Sequence, residues 1–136
     1  MKKKILIIYN KIWPYRIKIF DLINEHFDLT VSYTDPQFKN KKYNFKTLYL
    51  PVVTIGPFSF HKKNLNSLAK NYDAVIGLSD IRWIRLMSLG FNPWRKYKYI
   101  LWGIGVRASY KNNFDAKKKM DIVRFFFTKR VDALVF

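Results

Sequence analysis

The order of short apolar runs and amphipathic segments predicts an α/β fold: a Rossmann-like, doubly wound, mostly parallel sheet of about six strands with helices on both faces. Three observations carry that reading. Runs such as Lys4-Ile5-Leu6-Ile7-Ile8-Tyr9 are apolar almost throughout instead of alternating, the pattern of a strand buried on both faces. Segments with apolar residues at helical spacing separate those runs. The chain has 136 residues, of which 49% are hydrophobic. A chain of that size hides about two thirds of its unfolded surface, enough for one ordinary core, so 1–136 reads as a single domain.

Lys4 to Tyr9 is the first strand. Pro14 suits the first turn of a helix, after which Ile17, Phe20, Ile23 and Phe27 recur at helical spacing, leaving Lys18, Asp21 and Glu25 to solvent. Leu29 to Tyr33 reads as the second strand, and Asp35-Pro36 opens a polar connection. Phe45 to Val53 is the third, with Pro51 marking an edge or a departure from the sheet. Lys62 to Lys70 carries Leu65, Leu68 and Ala69 on one side and predicts a short helix, after a loop at Pro57 to Lys63 that mixes aromatic and basic residues.

Tyr72 to Leu78 is the fourth strand. It ends at Ser79-Asp80, either of which can cap a helix with Ile81, Ile84, Leu86 and Met87 on its apolar face and Gly90 as its stop. Tyr97 to Trp102, closed by Gly103, is the fifth. A helix opening at Asp115 is expected to bury Met120, Val123, Phe126 and Phe127, and Val131 to Phe136 makes the sixth strand. A chain that stops on a core strand reads as a fragment or a first domain, because a doubly wound fold binds its ligand beyond the carboxyl ends of its strands.

Twenty-six Lys and Arg stand against nine Asp and Glu, a net charge of +17. The resulting field favours an anionic partner such as membrane phospholipid or nucleic acid. Codon bias in an AT-rich genome would produce the same Lys-, Ile- and Asn-rich mixture. The absence of Cys excludes disulfide scaffolds and thiolate zinc sites, and His26 and His61 are too few for a multi-histidine metal centre, so no metal is expected. Every apolar run is too short to span a bilayer, and Lys2 to Tyr9 only imitates a signal peptide, so the expected location is the cytoplasm.

Candidate ligand contacts lie in the loops at the strand ends. Asn10 to Arg16 contains no glycine, which excludes a dinucleotide fingerprint, and no Walker loop is present. That loop offers Asn10, Tyr15 and Arg16, able to hold a hydroxyl-rich or anionic group, although packing of Trp13 and Tyr15 under neighbouring loops would explain the same residues. The fourth strand delivers Asp80, a candidate general base that also suits a helix cap. The fifth delivers Gly103, Gly105 and Arg107, a turn with exposed N–H groups and a cation. His61 is the other titratable candidate, in a loop that suits a sugar, a lipid or a nucleic acid, or simply the packing of its two Phe side chains.

These elements together resemble the amino-terminal domain of a two-domain, GT-B type bacterial glycosyltransferase of the family 4, group 1 kind. The resemblance rests on Lys4 to Tyr9 leading to Pro14-Tyr15-Arg16, on Asp28-Leu29-Thr30-Val31, on Tyr72 to Gly77, on Ile100 to Gly103 and on Arg130 to Val135. It implies a first lobe that binds the acceptor and contributes any general base. A carboxy-terminal lobe, absent from this sequence, would bind the nucleotide-sugar donor, and the fragment alone would be an inactive half of a hexosyltransferase. No cofactor is implied beyond that donor substrate. The implied partners are the donor lobe and a glycan or lipid-linked acceptor made in cell-surface glycan synthesis. An anionic membrane surface is a further implied partner, through Lys39-Lys41-Lys42, Lys62-Lys63 and Lys117-Lys118-Lys119. Where this chain has Ile104 some relatives carry a histidine, and they often have glycines after the first strand. The alternative reading is a basic nucleic-acid-binding α/β module without catalysis, although the sequence has no recognition-helix or RNA-binding signature and no specific nucleic-acid partner is expected.

Overall fold

The computed structural model describes residues 1–103 and 118–135, with backbone alone for 118–121. In chain order the first half forms β1 (Lys4–Ile8), α1 (Pro14–His26), β2 (Asp28–Tyr33), β3 (Lys46–Tyr49), β4 (Val52–Ile55) and β5 (Phe58–His61). The second half adds α2 (Leu65–Ala69), β6 (Ala74–Leu78), α3 (Ile84–Met87), β7 (Lys98–Trp102), α4 (Lys118–Thr128) and β8 (Ala133–Val135). Six of the strands make one sheet in the order β3-β2-β1-β6-β7-β8, and every neighbouring pair in it is parallel. This is the doubly wound, Rossmann-like arrangement that the sequence predicts. The strand order reverses between β1 and β6, so the connections that leave those two strands diverge and open a crevice above their carboxyl ends.

β1 occupies the centre because its residues leave no polar face. It is paired along both edges, Lys4 to Ile8 against Asp28 to Ser32 and Ile5 to Ile8 against Ala74 to Gly77. Its side chains alternate between two cores. Leu6 and Ile8 join Leu50, Leu65, Val75, Leu86, Tyr99 and Leu101 on one face, while Ile5, Ile7 and Tyr9 join Phe20, Leu29, Val31 and Phe45 on the other. α1 covers the second face through Phe20, whose ring meets Phe45 edge-on at 5.5 Å. The first face is closed by α2, α3 and the 3-10 turn Ser88–Phe91. Two buried phenols anchor those pieces: Tyr99 Oη donates to the Leu86 carbonyl at 2.5 Å and Tyr97 Oη to that of Leu89 at 3.3 Å.

Several expectations need correction. The third strand ends at Tyr49, because Pro51 turns the chain out of the sheet and Val52 onward pairs with Phe58 to His61 in a separate antiparallel hairpin. The aromatic, basic stretch after Pro57 is therefore largely strand rather than loop. Gly56, at φ 58°, and Pro57 form its two-residue turn; the proline ring forbids a second positive φ, which selects the type II′ pattern. Ser79 and Asp80 do not cap the following helix, which begins only at Ile84 after a turn. Gly90 ends no helix through a left-handed cap: among the described residues positive φ is confined to Gly56. Phe27, read as part of the buried face of α1, follows the helix and is 37% exposed.

α4 also departs from its expected pattern. Phe127 packs on the core, but Val123 and Phe126 are exposed, as are Ile122 and Phe125. Its predicted start at Asp115 and the side chain of Met120 lie outside the described residues. Phe126 finds partners instead in Phe91, stacked at 5.0 Å, and Phe127 at 5.9 Å. β8 is tied to β7 at its start, where Asp132 Oδ2 accepts the Tyr99 N–H at 2.7 Å and an Arg95 N–H at 2.5 Å. Burial alone would raise the Asp132 pKa, but those donors together with Lys98 hold it below the usual carboxylate value.

The approach of Ser88–Phe91 to the end of α4 is close enough to explain Gly90, where a Cβ would stand 2.7 Å from the Arg130 carbonyl oxygen. The carbonyl belongs to backbone and a Cβ has no rotamer, so neither can swing aside. We expect Gly90→Ala to lower stability by about 1–3 kcal/mol, read as a drop in urea midpoint at constant slope. An unchanged midpoint would show that the two segments do not pack this tightly.

Candidate functional site

The crevice above β1 and β6 is reached first by the residues that follow β1. The Asn10 carbonyl accepts the Thr34 N–H at 3.0 Å and its hydroxyl at 3.2 Å, tying this loop to the tip of β2. The Asn10 side-chain oxygen accepts the Lys11 N–H at 2.9 Å, leaving a half-buried amide at the crevice. Pro14, with its fixed φ and missing donor, then starts α1. Arg16 falls in the first turn, its backbone N–H donated to the Trp13 carbonyl at 2.9 Å.

The Arg16 side chain defines the site. Its guanidinium carbon lies 4.4 Å from the centre of the Trp102 ring, 5.0 Å from that of Tyr9 and 5.5 Å from that of Tyr15. Tyr9 follows β1 and Trp102 ends β7, with the β6 tip between them, so this long side chain bridges three neighbouring strand ends. Each such cation–aromatic contact is worth about 0.5–2 kcal/mol, rising as water is excluded. Burial pushes the Tyr9 phenol above its ordinary pKa, with Arg16 opposing that rise and Tyr15 adding to it, so the hydroxyl stays protonated near neutral pH. Tyr15 is 68% exposed and available to a ligand as a stacking or hydrogen-bonding surface.

The other expected residues separate from this group. Asp80 does end up at the tip of β6, but its carboxylate is engaged by Arg82. The Arg82 N–H reaches Oδ1 at 3.0 Å, while Nε and Nη2 reach Oδ2 at 3.1 and 3.0 Å. A base already holding a forked guanidinium and a backbone donor has few lone pairs left for a substrate hydroxyl. Gly103 does not present a free N–H, since it donates to the Val135 carbonyl at 2.8 Å and extends the β7–β8 ladder. Gly105 and Arg107 lie outside the described residues.

His61 is 1% exposed, at the end of β5 rather than on the crevice. Its ring lies 5.3 Å from that of Trp83, its carbonyl accepts an Arg85 N–H at 2.6 Å, and its Nδ1 is buried without a hydrogen-bond partner. Burial, with the Arg85 charge second, pushes its pKa down to about 4. It stands here as a neutral side chain packed against Trp83. Among the described residues no group of three or more His, Cys, Asp or Glu could hold a metal ion, and no helix is long and apolar enough to cross a membrane.

Sequence reasoning named Asn10, Tyr15 and Arg16 but did not include Tyr9 and Trp102 in the site. The available signal was their position, each an aromatic at the carboxyl end of an apolar run, where a doubly wound sheet presents residues to its ligand. A second cleft, of about 430 Å³, lies at the opposite end of the sheet beside Arg95, Lys98, Lys129 and Asp132. Its Arg95 is occupied by Asp132 and by the carbonyls of Tyr97 and Arg130 at 2.9 and 3.1 Å.

No family model matches this chain, and no curated protein does. Among solved structures it is similar to a Bacteroides thetaiotaomicron protein provisionally named an epimerase, at 16% identity and a TM-score of 0.48. The match covers 76% of this chain and 48% of the other, so this chain spans about half the length of that protein. At that level of likeness nothing of the other protein's chemistry passes to this one.

The buried His61 makes stability depend on pH in a definite direction. Its pKa is depressed on folding, so the unfolded chain takes up the proton first. The stabilisation is complete above pH 6.5 and disappears as pH falls toward about 4. At about 1.4 kcal/mol per pH unit the loss is about 3 kcal/mol. Urea melts across that window should show it for the native chain and not for His61→Leu. Equal slopes for the two proteins would place the acid sensitivity elsewhere.

Proposed function

We propose that this chain is the acceptor-binding lobe of a nucleotide-sugar-dependent glycosyltransferase. One observation carries the reading: the switch-point crevice of a doubly wound sheet is lined by Tyr9, Tyr15 and Trp102 gathered around Arg16, with the Asn10 amide beside them. Aromatic faces stack on the apolar faces of sugar rings, and amide and guanidinium donors answer their hydroxyl oxygens. The resemblance of the strand-end sequences supports the same assignment, including Pro14-Tyr15-Arg16 at the mouth of the crevice.

On this reading the lobe positions the acceptor hydroxyl, and the donor is held by a separate carboxy-terminal lobe. Transfer then depends on orientation more than on a dedicated base in this half, in keeping with the engagement of Asp80 by Arg82. The acceptor is a glycan or lipid-linked glycan, and the Lys-rich faces rest on anionic lipid.

Saturation-transfer NMR with a panel of simple glycosides tests the proposal on the chain as it stands. We expect the Tyr15 and Trp102 ring signals to respond to at least one glycoside, and nucleotide-sugars to be neither hydrolysed nor used for transfer. Rings that stay silent, or transfer by this chain alone, would overturn it. Tight DNA or RNA binding that persists above physiological salt would replace it with a nucleic-acid-binding function.

A further inference from the structure

We infer that Arg16 anchors an oxyanion subsite at the tips of β1 and β7, and that its ligand carries a phosphate group there, free or as an ester on a sugar or lipid carrier. The inference rests on the crevice assigned above, but it would stand if the sugar reading fell, since it concerns the anionic group alone.

The argument starts from what Arg16 lacks. Three other described arginines are engaged internally. Arg82 forks onto Asp80, Arg95 holds Asp132 together with two carbonyls, and Arg85 donates to the His61 carbonyl. Arg16 is half-buried, as Arg95 is, whereas Arg82 and Arg85 are exposed, yet among the described residues Arg16 forms no ion pair. Its one side-chain hydrogen bond runs from Nε to Tyr15 Oη at 3.5 Å, at the limit of the interaction. A partly desolvated guanidinium with free donors is costly unless a ligand completes it.

Stacking supplies the second half of the argument. The centres of the Tyr9, Tyr15 and Trp102 rings lie 4.4–5.5 Å from the guanidinium carbon, and rings do not neutralise the charge they attract. A guanidinium restrained by rings, with neither Nη hydrogen-bonded among the described residues, can give two parallel hydrogen bonds to an oxyanion. Lysine could not replace it, having neither the plane nor the fork. Phosphate is favoured over a carboxylate because a dianion gains more from a domain of net charge +17. The carboxylate of Asp35 is already paired with Lys11 at 3.8 Å.

The test follows the Arg Nε–Hε resonances of the full chain in proton–nitrogen NMR, at physiological salt, during titration with inorganic phosphate. We expect one Arg signal, lost in Arg16→Gln, to shift and saturate. Arg16→Lys, which keeps the charge, should weaken binding about tenfold. Lys18→Gln, which removes an exposed charge on the same helix, should change affinity less than twofold. Equal weakening by Arg16→Gln and Lys18→Gln would reduce the effect to charge attraction and overturn the proposal, as would acetate binding as tightly as phosphate. Glucose 1-phosphate and vesicles containing phosphatidic acid then separate the two sources, the tighter one naming the carrier. If neither binds more tightly than bare phosphate, the free anion is the ligand and the proposal stands in that form. Glycosides without phosphate report on the sugar reading independently, so the two can fail separately.

Discussion

The rest of this structure depends on β1 having no free edge and no polar face. Leu6, Ile7 and Ile8 are at most 1% exposed, and burying each contributes about 1.5–3 kcal/mol before chain entropy is set against it. Because a parallel strand so enclosed can only be left by a crossover, the chain must exit over one face and return on the other. β2 and β6 therefore take opposite sides, and their connections part above the carboxyl end of β1. The crevice is a consequence of that packing, and whatever sequence follows β1 is delivered into it. Here that sequence runs from Tyr9 to Arg16.

How much of this was legible in the residues varied with the range of the interaction. β1, β6 and β7 could be read because their apolar runs are local and continuous, and the order of elements then implied the sheet. The β4–β5 hairpin was missed although its signal is also local: Gly56-Pro57 stands between Val53-Thr54-Ile55 and Phe58-Ser59-Phe60, runs of β-forming residues. A proline beside an aromatic, Lys-rich segment reads as a loop in sequence, whereas here Gly56 supplies the positive φ that lets the two runs pair. Asp80 shows a different failure. Its partner Arg82 is only two residues away, but a carboxylate at a strand tip looks the same in sequence whether it is free or held.

Burial decided the remaining differences, and burial is tertiary. Nothing near His61 in the chain announces that Trp83 and Arg85 will close over it, since they arrive from beyond β6. Val123 and Phe126 keep helical spacing with Phe127, yet the helix turns mainly Phe127 toward the sheet. The grouping around Arg16 was legible in part. Tyr15 and Arg16 were recognisable from their place in the first turn, whereas Tyr9 and Trp102 become neighbours only because β6 separates β1 from β7 by one strand on each side.

Charge alone would not have singled out that group. Most cations of this chain are exposed lysines, whose attraction for any anion is diffuse and screened within about 8–10 Å at ordinary salt. Among the described residues ion pairs engage Asp28, Asp35, Asp80 and Asp132, so four of the nine carboxylates are committed to holding strands and turns in place. Arg16 differs from the exposed lysines in being half-buried and from Arg82 and Arg95 in having rings rather than an acid beside it. Rings restrain a guanidinium without neutralising it, which is the difference between a structural cation and one still able to receive an anion. A carboxylate introduced beside Arg16 would keep its position and cancel its capacity. The aromatic surround therefore has a chemical meaning that packing by itself would not require.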